Sequence, residues 1–307
     1  MTKKVAVLMG GCSSEREVSL ASGENVLQAL TEAGYQTFGI DVSRDLRPLI
    51  NELEEKKPDV VFNALHGKYG EDGCIQGILD IIGIPYTHSG RIASALAMDK
   101  VLAKKMYRTA GLPVADERVV TKEQILAGDV MPYPFVLKPI CDGSSVGVFI
   151  FDGSSNKKPF EGEEYPYADD EKILAEEYIP GRELTVAVMD GKALGILEII
   201  PTTDFYNYHN KYSQGGARHV VPTDIPEKDC AEIMRIAAEA HKVLGCKGIS
   251  RSDIRYDNTR KGEPSRIVIL ETNTQPGMTS LSLVPDIARN AGYSYRDIVV
   301  WMVENAG

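Results

Sequence analysis

Residues 266–285 read Arg-Ile-Val-Ile-Leu-Glu-Thr-Asn-Thr-Gln-Pro-Gly-Met-Thr-Ser-Leu-Ser-Leu-Val-Pro, and the fold is best worked out from here. The run Ile267 to Leu270 has the β-branched character of a buried strand. It ends on Glu271 and Asn273, whose spacing of two puts both side chains on one face of a strand. Upstream, Gly-Ile-Ser-Arg-Ser-Asp-Ile-Arg-Tyr (248–256) predicts a second strand, with Arg251 and Asp253 sharing a face. Paired, the two strands offer Asp253, Glu271 and Asn273 as one group of hard oxygen donors. Such a group suits Mg²⁺, which prefers oxygen ligands and keeps places open for substrate phosphates. The alternative is three polar side chains facing water at strand ends. Past the strand, Pro276-Gly277-Met278-Thr279 leads towards Ser280 and Ser282, and Leu283-Val-Pro-Asp-Ile-Ala opens a helix. Backbone N–H groups at a glycine turn and a helix start are ready donors for an anion.

Composition narrows the class. The chain has 307 residues, enough for two or three modules with a large combined core. At 43% hydrophobic and 25% charged it is an ordinary globular composition, not a disordered one. No apolar run approaches the ~18 residues of a membrane span, and the short apolar stretch near the N-terminus reads as a first buried strand, not a signal peptide. The net charge of −10, with no basic tract, argues against nucleic acid as a partner. The five cysteines (Cys12, Cys74, Cys141, Cys230, Cys246) are scattered, with no C-x-x-C pair. A reducing compartment fits that pattern and a zinc site does not.

Strand-like runs at 4–9, 35–42 and 58–65 alternate with helical stretches beginning near Ser14 and spanning 45–57, which predicts a parallel sheet. Ser14 and Glu17 have capping-box spacing, and Glu15 is read from position alone as a favourable charge in a first helical turn. His66-Gly-Lys-Tyr-Gly-Glu-Asp-Gly73 follows the third strand, where parallel sheets bind ligands. A helix at 74–83 follows, and another is expected from Ser89 or Ser94 to Gly111, stopped by Gly111-Leu-Pro113. Pro134-Phe-Val-Leu-Lys138-Pro139 is a strand ending in a lysine, followed by the small-residue loop Asp142-Gly-Ser-Ser-Val-Gly-Val148. That loop can cradle a phosphate or simply turn. No G-x-x-x-x-G-K-[ST] motif exists. Residues 152–170, with two prolines and two glycines, are expected to form an irregular acidic loop. Strands return at 173–179 and as a pair through 199. The aromatic-rich segment 201–217 has no periodicity, as a lid has none. Helices are expected at 226–244 and 294–305.

Several stretches together resemble the D-alanine–D-alanine ligases of the ATP-grasp superfamily. They are Gly10-Gly-Cys-Ser-Ser-Glu15-Arg-Glu-Val-Ser, His66-Gly with Gly70-Glu-Asp-Gly73, Met98-Asp-Lys100, Lys138 with the loop 142–148, Arg251-Ser-Asp253, Glu271-x-Asn273 and Asn273-Thr-Gln-Pro-Gly277-Met-Thr-Ser-x-Ser282. The likeness covers essentially the whole chain. It implies an α/β protein of ATP-grasp fold: an N-terminal parallel domain (1–95), a central subdomain (96–180) and a C-terminal catalytic subdomain (181–307) with the lid 201–217. ATP would be held by Lys100, Lys138, Ser145, Glu176, Glu177, Ile179 and Glu183. The metal, Mg²⁺ or Mn²⁺ and two ions by family habit, with a possible monovalent cation, would sit on Asp253, Glu271 and Asn273. Glu15 would anchor the first D-alanine ammonium and join Ser144 and Tyr212 when the lid shuts. Arg251 and Gly277 would serve the oxyanion. His66, Lys211, Ser282 and Leu283 would bind substrates. The family also implies a cytoplasmic homodimer that serves cell-wall precursor synthesis. The rival readings are a ligase making a depsipeptide or another dipeptide, a non-catalytic ATP-grasp binding protein, and, from Gly10-Gly11 alone, a dinucleotide enzyme.

Overall fold

The computed structural model describes residues 2–143, 146–155, 157–201, 217–279 and 282–307. The first sheet uses β1 (Lys4–Gly10), β2 (Gln36–Val42) and β3 (Val60–Asn63), all parallel in the order β2-β1-β3. Val5 to Leu8 are wholly buried because the central strand is covered on both faces. The helices α1 (Arg16–Glu32), α2 (Arg47–Lys56) and α3 (Cys74–Ile82) are the crossovers and flanks of that sheet. The stretch after α3 contributes a single parallel bridge, Val61 to Tyr86.

The helix expected up to Gly111 is two helices, α4 (Arg91–Met98) and α5 (Lys100–Thr109). Asp99 has extended backbone, φ −87° and ψ 103°, and its side chain accepts a bond from the Leu102 amide. A short polar side chain that caps a new helix ends the old one, and periodicity alone does not register this. The capping box expected at Ser14 and Glu17 is also absent. Glu15 itself is the N-cap of α1, with no side-chain capping bond.

The second sheet is antiparallel, with order β4-β7-β5-β6. Its strands are β4 (Glu117–Val120), β5 (Phe135–Pro139), β6 (Phe149–Phe151) and β7 (Ile173–Glu177), with α6 (Lys122–Ala127) beside them. The described residues of 152–170 are irregular, as expected, but the segment is not idle. Phe160 and Tyr167 are buried, and with Tyr165 they pack edge-on against one another and against Phe149 or Phe151. Aromatic contacts, not a helix, cover this end of the sheet.

The third sheet is antiparallel, with order β10-β9-β8-β11-β12. It is built from β8 (Arg182–Met189), β9 (Lys192–Pro201), β10 (Ala217–Val220), β11 (Ile249–Asp257) and β12 (Arg266–Asn273). α7 (Glu227–Val243) packs on it through Ile233, Ile236, Ala237 and Ala240, and the chain closes with α8 (Leu283–Asn290) and α9 (Tyr295–Glu304). One core cluster joins Val5, Val7 and Phe62 of the first sheet to Ala187 and Leu197 of the third and to Val284, Ile287, Val299 and Met302 of the last helices. The second and third sheets border a common cavity, as the ATP-grasp likeness implies. The expected lid at 201–217 lies almost wholly outside the described residues, as do Ser144, Ser145, Lys211 and Tyr212.

Candidate active site

Three distant turns are tied into one wall. Ser13 donates to the His66 carbonyl at 2.7 Å and accepts from the Glu15 amide at 3.2 Å. Asn63, at the end of β3, donates to the Gln275 side chain at 2.7 Å, and Gln275 donates in turn to the Leu65 carbonyl. The Ser22 hydroxyl lies 3.3 Å from His66 Nε2. Glu15, His66 and the turn after β12 therefore meet although they are far apart in sequence. His66 is buried, and that burial lowers its pKa; neighbouring Glu15 only partly opposes the shift. The imidazole is thus a neutral hydrogen-bonding group at neutral pH.

The strand reading of 248–273 holds in register. Asp253 pairs across from Glu271 and Arg251 from Asn273, with a bulge just after Asp253. Paired residues of an antiparallel ladder share a face, so the oxygen donors and Arg251 line up on one side. Arg251 grips Asp253 with two bonds, 3.0 and 2.8 Å, and Thr185 adds a third at 2.7 Å. Asn273 Oδ1 accepts from the Gln275 amide at 2.7 Å and keeps a second lone pair. Among the described residues no group of three His, Cys, Asp or Glu could hold a metal by itself. The donor set fits an oxygen-seeking ion such as Mg²⁺ whose coordination is completed by phosphates, and it does not fit zinc.

Lys100 opens α5 beside this face. Its Nζ donates to the Asp142 carbonyl at 2.5 Å and stands 3.9 Å from Glu271. Burial lowers the Lys100 pKa, with Glu271 pulling the other way. Lys138, at the end of β5, bonds Glu176 at 2.8 Å, and the wholly buried Lys104 of α5 bonds the other Glu176 oxygen. Burial tends to raise the Glu176 pKa, but Lys138 and Lys104 outweigh it and the carboxyl stays below its usual range. Glu177 pairs with Arg266 at 2.5 and 2.7 Å, and Glu183 lies 3.5 Å from Arg255.

Two cavities result. One, about 430 Å³, lies between the second and third sheets. Its walls include Val136, Lys138, Ile150, Glu176, Glu177, Ile179, Glu183, Ile199 and Leu270. The other is more polar and includes Glu15, His66, Arg251, Asn273, Gly277, Ser282 and Leu283. They share Lys100, Asp142, Gly143 and Glu271. The larger cavity, with Lys138 and Lys100 in its walls, thus adjoins the polar chamber at a border that carries Lys100, Asp142 and Glu271. A Cβ at Gly277 would stand 2.9 Å from Ser282 Oγ, so any other residue here must displace that hydroxyl.

The family model described as D-ala D-ala ligase C-terminus matches residues 106–304, and the one described as D-ala D-ala ligase N-terminus matches 4–56 and 44–89. The chain belongs to the D-alanine–D-alanine ligase family. The D-alanine–D-alanine ligase of Paramagnetospirillum magneticum is 52% identical over 306 residues, covering 100% of this chain and 99% of its own length. That of Parvibaculum lavamentivorans is 53% identical, covering 99% and 97%. The crystal structure of the Bacillus anthracis ligase complexed with ATP superposes with a TM-score of 0.77 at 28% identity, over 99% of this chain and 97% of that one. Members of this ATP-grasp ligase family make D-alanyl-D-alanine for peptidoglycan with ATP.

Of the described residues singled out from the sequence, all border one of the two cavities. Three further groups escaped that reading. Glu71 and His219 line the polar chamber, His219 held 3.0 Å from Asp286 of α8. Lys104 reaches Glu176 from beneath the nucleotide-sized cavity. Glu71 belongs to the Gly70-Glu-Asp-Gly73 motif, but nothing in one sequence separates it from Asp72. Lys104 looked like any helical lysine.

Proposed function

We propose that this chain joins two D-alanines into D-alanyl-D-alanine, converting ATP to ADP and phosphate through an acyl phosphate. One observation carries the reading: the nucleotide-sized cavity and the polar chamber meet at Lys100 and Glu271. ATP would lie between the second and third sheets with its phosphates pointing towards Lys138 and Lys100. Asp253, Glu271 and Asn273 would hold Mg²⁺ or Mn²⁺, in two-ion form by family habit. When bound, the metal draws charge from the β- and γ-phosphates.

The chain's own residues then divide the labour. Glu15 anchors the first ammonium, so that its carboxylate faces the γ-phosphate. Attack at phosphorus releases ADP and leaves an acyl phosphate. The amine of the second D-alanine, whose carboxylate is bound by Ser282 and the start of α8, attacks that carbonyl. Arg251 and the Gly277 amide meet the resulting oxyanion, and its collapse expels phosphate. Tyr212 and Ser144 would close with Glu15 over the acyl phosphate and keep out water, with Lys211 facing the phosphates. The same reading includes an N-terminal substrate part up to about residue 95, a division near 180, a homodimer and a cytoplasmic setting. No helix among the described residues is long and apolar enough to cross a membrane.

Phosphate release from ATP, measured with a panel of D- and L-amino acids, tests the proposal. Turnover dependent on D-alanine, with D-alanyl-D-alanine as product, is expected. Turnover with L-amino acids only, or preference for a D-hydroxy acid as second substrate, would overturn it.

A further inference from the structure

Glu71 lies in the turn between β3 and α3, on the wall of the polar chamber, with only 8% of its surface exposed. The Glu71 amide is tied to the Gly67 carbonyl at 3.1 Å, yet the side-chain Oε2 has no hydrogen-bond partner among the described residues. A buried carboxyl oxygen left unpaired is costly, so such an atom points to a polar partner that arrives with a ligand. Oε1, the other oxygen of the same carboxyl group, faces a space beside Gly143. A Cβ built on Gly143 would stand 3.7 Å from Glu71 Oε1 and 3.7 Å from Glu15 Oε2, so the two carboxylates flank one small space. Gly143 has no side chain to fill it.

We propose that Glu71 is a second carboxylate for the α-ammonium of the first amino acid, completing with Glu15 a two-sided clamp. This rests on the ligase reading and assigns that site one more recognition group. An ammonium has three N–H donors and Glu15 cannot satisfy them all, whereas a carboxylate on the opposite side takes another. With the clamp empty, burial first and then the Glu15 charge push the Glu71 carboxyl up to about 8, with Gly67 and Arg251 pulling it down and Glu271 adding to the rise. At neutral pH the empty site thus holds Glu71 protonated. An ammonium placed between the two carboxylates favours the ionised form, so binding expels the proton from Glu71 to solvent and the incoming nitrogen keeps its own. An α-hydroxy acid brings no such charge, which makes the clamp selective for an amino acid at the first position.

Steady-state kinetics on Glu71→Gln, with the KM values of the two amino-acid sites separated, is the direct test. Loss of one charge-assisted contact should raise the first-site KM about tenfold or more. The second-site KM and the KM for ATP should stay within about twofold, since the change touches neither site. Glu71→Asp, which keeps a shorter carboxylate, should fall between wild type and Glu71→Gln. Calorimetry of wild-type protein with D-alanine and a non-hydrolysable ATP analogue, in buffers of different ionisation enthalpy at pH 7, should show release of up to about one proton. Glu71→Gln should show none. Equal changes in all three KM values with a lowered melting temperature, an unchanged first-site KM, or no proton release by the wild type would each overturn the assignment. If the wild type ligates no D-alanine at all, the ligase reading falls and this clamp with it.

Discussion

Arg251 makes two bonds to Asp253 and also borders the chamber where the oxyanion would form. On the proposed reading it orders a metal ligand and also faces the reacting carbonyl. Arg251→Met should lower ligation by about 10²–10³-fold, the usual cost of one oxyanion donor, while equilibrium dialysis finds ATP still bound. Glu271→Gln keeps the shape and removes one negative charge from the proposed metal face. Its turnover should drop and its Mg²⁺ requirement rise, which a titration of rate against Mg²⁺ would read. His88 makes a different argument. It is buried, its Nε2 has no partner among the described residues, and burial with nearby His66 pushes its pKa down to about 3. Unfolding restores the ordinary value of 6.5, so the unfolded chain binds an extra proton between those pH values. Stability from this group is full above about pH 6.5 and is lost as pH falls towards 3. In urea titrations at successive pH values, His88→Gln should show a shallower loss of stability on acidification.

At the scale of elements, the joint between α4 and α5 is the most exposed to a single change. Asp99 caps α5 through the Leu102 amide at 2.9 Å, and the next residue is Lys100, whose own amide bonds the Ile140 carbonyl at 3.1 Å. Asp99→Ala should cost about 1 kcal/mol of stability, typical of a lost N-cap. Because the cap also fixes where Lys100 begins, the KM for ATP should rise with it. A thermal melt paired with ATP kinetics separates the outcomes: a lower melting temperature with unchanged KM would mean the joint is only structural. Gly181, between β7 and β8, shows a different constraint. Its φ of +92° and the Tyr256 carbonyl 2.3 Å from a built Cβ leave no room for any other residue at this corner of the nucleotide-sized cavity.

Across the whole molecule, the shared core makes the first sheet depend on the last helix. Ile298, Val299, Met302 and Val303 of α9 are buried in the same cluster as Val5, Val7, Leu30 and Phe62. Four such side chains at roughly 2 kcal/mol each are comparable with a typical net stability of about 5–15 kcal/mol. Ending the chain at Gly292 should therefore leave an insoluble or molten product even though every residue of the first sheet is present. The surface links to this helix, Lys3 to Glu304 at 2.8 Å and Tyr35 to Glu304 at 2.5 Å, matter far less. Lys3→Ala should move the melting temperature by no more than about a degree or two.

The sequence by itself determined the first parallel strands, the oxygen donors on one face of 251–273, and the glycine turn at 276–279 that leads into a helix. These are short-range matters: a period of two fixes which side chains share a face, and antiparallel pairing brings Asp253 opposite Glu271. Resemblance across several motifs then supplied the chemistry that no single spacing could. Only the tertiary structure decided which buried polar groups meet. Lys104 and Glu176 are 72 residues apart and Asn63 and Gln275 are 212 apart, and a single sequence carries no record of such contacts. It also decided that one helix becomes two at Asp99, and that Glu71 lies against the chamber with one oxygen unpaired among the described residues. The physical reason is that local pattern sets conformation and face, whereas burial, and with it charge state and the need for a partner, is set by what the rest of the chain packs against.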